Sequence, residues 1–120
     1  MRFMMIVKHA EKQGPPPKEL MDAITKLAEE ETKAGTMLGS GGLGPTALGA
    51  RVRLGGGRVS VTDGPFTETK EVIGGYAILE APSLAEAVEL TRRFLKVHGT
   101  DLDVECEVRQ LDGPEFGCKP

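Results

Sequence analysis

Apolar and polar positions along this chain alternate with different periods in successive segments, and each period predicts an element. Residues Phe3 to Val7 are apolar at every position, as in a strand covered on both faces. After a loop ending in the prolines at 15 to 17, Leu20, Met21, Ile24, Leu27 and Ala28 recur at helical spacing, with Glu29, Glu30, Glu31 and Lys33 toward the end. Pro17 suits the first helical position and Gly35 the stop. Thr36 to Leu38 predicts a short returning strand, and Gly39 to Pro45 a flexible corner. Ala50 to Leu54 sets Arg51 and Arg53 against Val52 and Leu54, and Arg58 to Val61 pairs back across Gly55-Gly56-Gly57 as a β-hairpin. Ile73 to Glu80 is apolar on both faces, Tyr76 and Ile78 on one, Ala77 and Leu79 on the other. Ser83 and Glu86 have capping-box spacing and introduce Leu84, Ala87, Val88, Thr91, Phe94 and Leu95 at helical intervals, with a stop near Gly99. Val104, Cys106 and Val108 against Glu105, Glu107 and Arg109 predict a strand with one wet face.

The order strand, helix, strand, hairpin, strand, helix, strand is that of an α+β, ferredoxin-like split βαβ fold with an inserted β-hairpin. Two helices cover only one face of such a sheet. Because two strands are apolar on both faces, the open face is expected to bury against a second copy, giving a homodimer with sheets face to face.

Composition narrows the classes. At 120 residues the chain is expected to form one domain, residues 1–120, with an aromatic-poor core, since it has no tryptophan, one tyrosine and four phenylalanines. A net charge of -3 argues against nucleic-acid binding, which needs a basic face. Arg51, Arg53 and Arg58 form at most a weak anion patch and read first as a solvated sheet edge. Cys106 and Cys118 share no short spacing, so they suit neither a metal knuckle nor a disulfide framework. Only Met1, Arg2 and the five apolar residues Phe3 to Val7 precede Lys8, too few for a secretory region or membrane span, so a cytosolic location is expected, with no membrane partner.

The candidate chemistry lies in Thr62-Asp63-Gly64-Pro65-Phe66-Thr67-Glu68-Thr69-Lys70-Glu71, which joins the hairpin to the next strand. Asp-Gly-Pro is ordinary turn vocabulary, and the turn reading is the simpler one. The functional reading takes Asp63 as a carboxylate held at a strand end, a general base or hydrogen-bond acceptor. Lys70 would be its electrostatic partner, and His9, at the end of the first strand, its companion in a His/Asp pair. Glu68 and Lys70 otherwise read as solvated loop charge, and His98 as a helix-end residue favoured by the helix dipole. Gly39-Ser40-Gly41-Gly42-Leu43-Gly44 satisfies G-x-G-x-x-G, but Pro45 follows where a dinucleotide site needs a helix. No organic cofactor and no metal site is expected.

These residues resemble the YCII-related proteins, and specifically the DGPF subgroup, named for the sequence at Asp63 to Phe66. Gly41-Gly42-Leu43, Val52-Arg53, Gly57-Arg58-Val59, Thr62 to Glu71, Gly74-Gly75-Tyr76, Glu107-Val108-Arg109 and Glu115-Phe116-Gly117 carry the resemblance. It implies a ferredoxin-like fold that dimerises through its sheet as a dimeric α/β-barrel. It implies no settled reaction: some members are associated with or fused to sigma factors, and other YCII-like proteins are thought to use a histidine and an aspartate. On the subgroup's motif, Asp63, Gly64, Pro65, Phe66, Glu68 and Lys70 are a site-forming loop, with Gly64, Pro65, Phe66 and Glu68 against the substrate. His9 lies outside that motif. Two functions follow: a cavity near Asp63 binding a small organic molecule, with proton-transfer, isomerase or lyase-type chemistry, or a non-catalytic dimeric module engaging a protein partner such as a sigma factor.

Overall fold

A computed structural model describes residues 1–10, 16–65, 72–99 and 102–113. Its elements are β1 (Arg2–His9), α1 (Lys18–Ala34), β2 (Met37–Gly42), a short 3-10 turn (Thr46–Leu48), β3 (Ala50–Gly55), β4 (Arg58–Asp63), β5 (Val72–Glu80), α2 (Leu84–Lys96) and β6 (Val104–Gln110). Four strands form one antiparallel sheet in the order β2-β5-β1-β6, and β3 pairs only with β4. Two βαβ units, each split by an intervening strand, thus share one sheet, the ferredoxin-like arrangement.

Alternation along the strands assigns the faces. Met5 lies opposite Ala77 and Val108, Phe3 opposite Leu79, and Met37 opposite Leu79 from the other side. These residues turn toward the helices and, with Ala81 and Ala87, form the buried core. Cys106 packs against that core as a free thiol, pushed up to about 11 chiefly by burial and secondarily by Glu105. The opposite face carries Met4, Ile6, Tyr76 and Ile78 as a half-open apolar stripe, flanked by an ion pair in which Lys8 Nζ lies 3.4 Å from Glu107.

Local chemistry sets the helix ends. Gly35 takes the left-handed conformation, φ 80°, and its N–H bonds the carbonyls of Glu31 and Thr32, closing α1 as glycine at that position predicts. Pro17 is the residue before the first helical one, so the chain enters α1 one position later than its sequence predicts. At α2 the Ser83 hydroxyl accepts the Glu86 N–H at 3.2 Å, half of the expected capping box.

The glycine-rich run is the main departure. Gly39 to Gly42, predicted as a flexible corner, continues β2 as an edge strand paired to Gly75, Tyr76, Ala77 and Ile78. Its glycines answer a packing demand: a Cβ on Gly41 would sit 3.0–3.2 Å from three atoms of the Tyr76 ring, which lies across the strand. The hairpin follows its prediction, with Gly56 and Gly57 at φ 58° and 76° forming the two-residue turn that suits the twist of β3 and β4. It stands clear of the four-stranded sheet. Val52, Leu54, Val59 and Val61 share one of its faces and are 65–73% exposed.

Candidate functional site

Hollow packing between the helices and the sheet creates the site. α1 packs mainly on β2, while α2 packs on β6 and β1, so the two helices straddle the middle of the sheet. There β5 presents Gly74, Gly75 and Ala77, which put almost no side chain above the floor. The result is a cavity of about 480 Å³, walled by Met5, Leu20, Ile24, Leu27, Met37 and Phe94 among others. That volume lies inside the range of roughly 300–1,000 Å³ usual for small-molecule sites.

Four ionisable residues line this cavity among the described residues: His9, Glu31, His98 and Tyr76, the last of which sits on the strand register that faces the opposite side of the sheet. His9 ends β1 on the helix-facing side. Its ring lies directly over Gly74, where any Cβ would collide with it, and its Nδ1 donates to the Ala10 carbonyl at 3.0 Å. A carbonyl can only accept, so Nδ1 carries a proton, and in its neutral form the ring offers Nε2 as an acceptor. His98, just beyond α2, repeats the arrangement, with Nδ1 donating to the Phe94 carbonyl at 2.9 Å and the ring edge-on to Phe94 at 4.7 Å. It has the helix-end role read from its position, and it is also part of the wall.

Glu31 is the residue the sequence reading passed over. It is 2% exposed, and neither carboxylate oxygen has a hydrogen-bond partner. Burial raises its pKa above the ordinary 4.5; Arg93 pulls it down, Glu30 adds to the rise, and burial outweighs Arg93. The signal was present in the spacing. Leu20, Ile24, Leu27 and Glu31 form one stripe of α1, and the charged cluster Glu29-Glu30-Glu31 hid the fact that its last member falls on the apolar face.

The residues singled out from the turn motif lie elsewhere. Asp63 closes β4 opposite Ala50, is exposed, and is not part of the cavity wall. Within one copy no hydrogen bond or ion pair joins it to His9, and it belongs to the two-stranded β3–β4 sheet, not to the sheet that carries His9. Gly64 and Pro65 follow it, joined by a cis peptide bond. Gly64 has a packing reason to be glycine: its N–H donates to the Gly49 carbonyl at 2.9 Å, and a Cβ would run into the Thr46 carbonyl. Phe66, Glu68 and Lys70, with Cys118 and Glu115 to Gly117, fall outside the described residues. No group of three or more His, Cys, Asp or Glu among the described residues is placed to hold a metal ion, and no described helix is long and apolar enough to cross a membrane.

Comparison with known proteins decides the family. The model of the YCII-related domain matches residues 1–99. The chain belongs to the YCII-related family. The matched range takes in β1 through α2, hence every element of the cavity wall except the segment from Leu102 into β6. An uncharacterized protein of Rhizobium meliloti (strain 1021) is 33% identical over 73 residues, which cover 61% of this chain and 59% of that protein. The chain therefore spans less than two thirds of the length of this relative.

Proposed function

We propose that this YCII-related protein, as a member of the DGPF subgroup, binds a small and largely apolar organic molecule between its helices and its sheet. The observation that carries the reading is the apolar cavity of about 480 Å³ with a histidine at its floor. His9, whose tautomer is fixed by the Ala10 carbonyl, holds Nε2 ready to accept a hydrogen bond or a proton, the equipment of a general base for proton transfer or isomerisation.

The working unit is a homodimer. Met4, Ile6, Tyr76 and Ile78 on the open sheet face and Val52, Leu54, Val59 and Val61 on the hairpin are two apolar patches on one chain, which a two-fold pairing covers together. Light scattering at micromolar concentration should give twice the chain mass. A monomeric mass would contradict the pairing and leave the hairpin for a protein of another kind.

Because the chain has no tryptophan, indole reports its own binding by fluorescence. Adding the protein should shift indole emission to the blue with a saturable dependence. His9→Leu should remove an acceptor and weaken binding severalfold, and Asp63→Asn should leave affinity within about twofold, since one donor–acceptor contact is worth about 0.5–1.5 kcal/mol. Absence of any saturable shift would overturn the binding reading. Loss of binding in Asp63→Asn with the dimer intact would instead bring Asp63 into the site from the partner copy.

A further inference from the structure

Beside the hydroxyl-bearing Ser40 and Tyr76, the polar residues on the cavity wall are two histidines and one glutamate. His9 and His98 each commit Nδ1–H to a backbone carbonyl, so that in the neutral ring Nε2 is the acceptor. Glu31 adds a carboxyl whose two oxygens are buried without a partner. No lysine or arginine lines the cavity among the described residues. An anionic ligand would meet no lysine or arginine there, and a purely apolar ligand would leave Glu31 unanswered.

We infer that the cavity selects an apolar molecule bearing a basic amine, and that Glu31 is the residue that pairs with the amine. The inference rests on the small-molecule reading given above and names the class of ligand for that site. A buried polar group without a partner is uncommon in folded proteins, and a functional role is one of the explanations such a group calls for. The position of Glu31 fits this role. It continues the stripe of Leu20, Ile24 and Leu27 along α1, so an apolar side chain would meet the packing demand there, and the carboxyl contributes only if something binds it. No hydrogen bond holds the carboxyl in place, so none opposes the rotation that presents an oxygen to an incoming ammonium. An ammonium favours the ionised carboxylate that burial disfavours, so pairing answers both groups at once. The surrounding wall of Leu20, Ile24, Leu27 and Phe94 takes the hydrocarbon part.

Three indole derivatives separate the possibilities. Tryptamine carries an ammonium, 3-propylindole has nearly its shape without charge, and indole-3-acetate carries a carboxylate. All three report binding by their own fluorescence. The wild-type dimer should bind tryptamine at least tenfold more tightly than 3-propylindole, with indole-3-acetate the weakest. Glu31→Gln should abolish the preference for tryptamine while 3-propylindole still binds saturably, which also shows that the variant is folded. Glu31→Leu should behave the same way toward tryptamine. Equal affinity of the wild type for tryptamine and 3-propylindole would overturn the inference and leave the cavity reading standing, as would a tenfold preference retained in both variants. Failure of all three compounds to bind the wild type would overturn the cavity reading, and the inference with it.

Discussion

Glu31→Leu should raise the stability of the ligand-free protein by about 1–3 kcal/mol near neutral pH, the penalty of a buried polar group left without a partner. Most core substitutions destabilise, so the sign is diagnostic. The effect should also depend on pH. In the fold the Glu31 carboxyl holds its proton more tightly than in the unfolded chain, where it titrates near 4.5. Its favourable contribution is complete below that value and is lost as pH rises through the raised folded pKa, beyond which the loss is constant. The gain from Glu31→Leu should therefore be smallest in acid and grow to a plateau as pH rises. Arg93 on α2 and Glu30 on α1 are the charged groups that act on this carboxyl; Glu30 adds to the rise, and Arg93 does not cancel burial. Glu80 works in the opposite direction, because the Met1 ammonium and Arg2 lower its pKa, so its contribution is lost in acid. Subtracting the two proteins' profiles, measured by urea unfolding from pH 4 to 8, isolates Glu31. A variant less stable than wild type at every pH would mean that Glu31 holds the fold together.

Gly64→Ala should cost about 1–3 kcal/mol, the usual penalty of forcing atoms into occupied space. A methyl at this position meets the Thr46 carbonyl, which is backbone and cannot swing aside as a flexible side chain would. The strain falls on the corner that joins the 3-10 turn to the base of the hairpin, where the Gly64 N–H bonds the Gly49 carbonyl. Asp63→Asn, one residue away and exposed, should change stability by less than about 0.5 kcal/mol. Urea unfolding of both variants checks the pair. A stable Gly64→Ala variant that had lost ligand binding would assign the glycine to the site, whereas the expected outcome assigns it to the shape of the corner.

The contrast between these neighbours shows what the sequence made legible. Its patterns located both helices, the hairpin, the two-faced strands and the capping serine, because each rests on a local rule: a period, a cap or a turn. β2 was missed beyond Leu38 because glycines have no period and read as a corner until the Tyr76 ring is seen lying over Gly41. The site was harder to read for a related reason. The cavity is defined by absent side chains at Gly74, Gly75 and Ala77, and a pattern of hydrophobic positions does not register empty space. Of the residues chosen for chemistry, His9 lies in the wall, and the charged motif drew attention to Asp63, which the hairpin carries outward. Glu31 was concealed by the two glutamates before it, although its spacing from Leu27 placed it on the buried stripe.

That the cavity between helices and sheet receives the ligand can be tested through the methionines. Of the five, Met5, Met21 and Met37 line the cavity, whereas Met1 and Met4 do not, Met4 lying on the opposite face of the sheet. With the methyl groups labelled for NMR, titration with tryptamine should shift the signals of Met5, Met21 and Met37 along one saturation curve and leave Met1 and Met4 in place. Movement of Met4 with the other three silent would put the ligand on the open face and contradict the account.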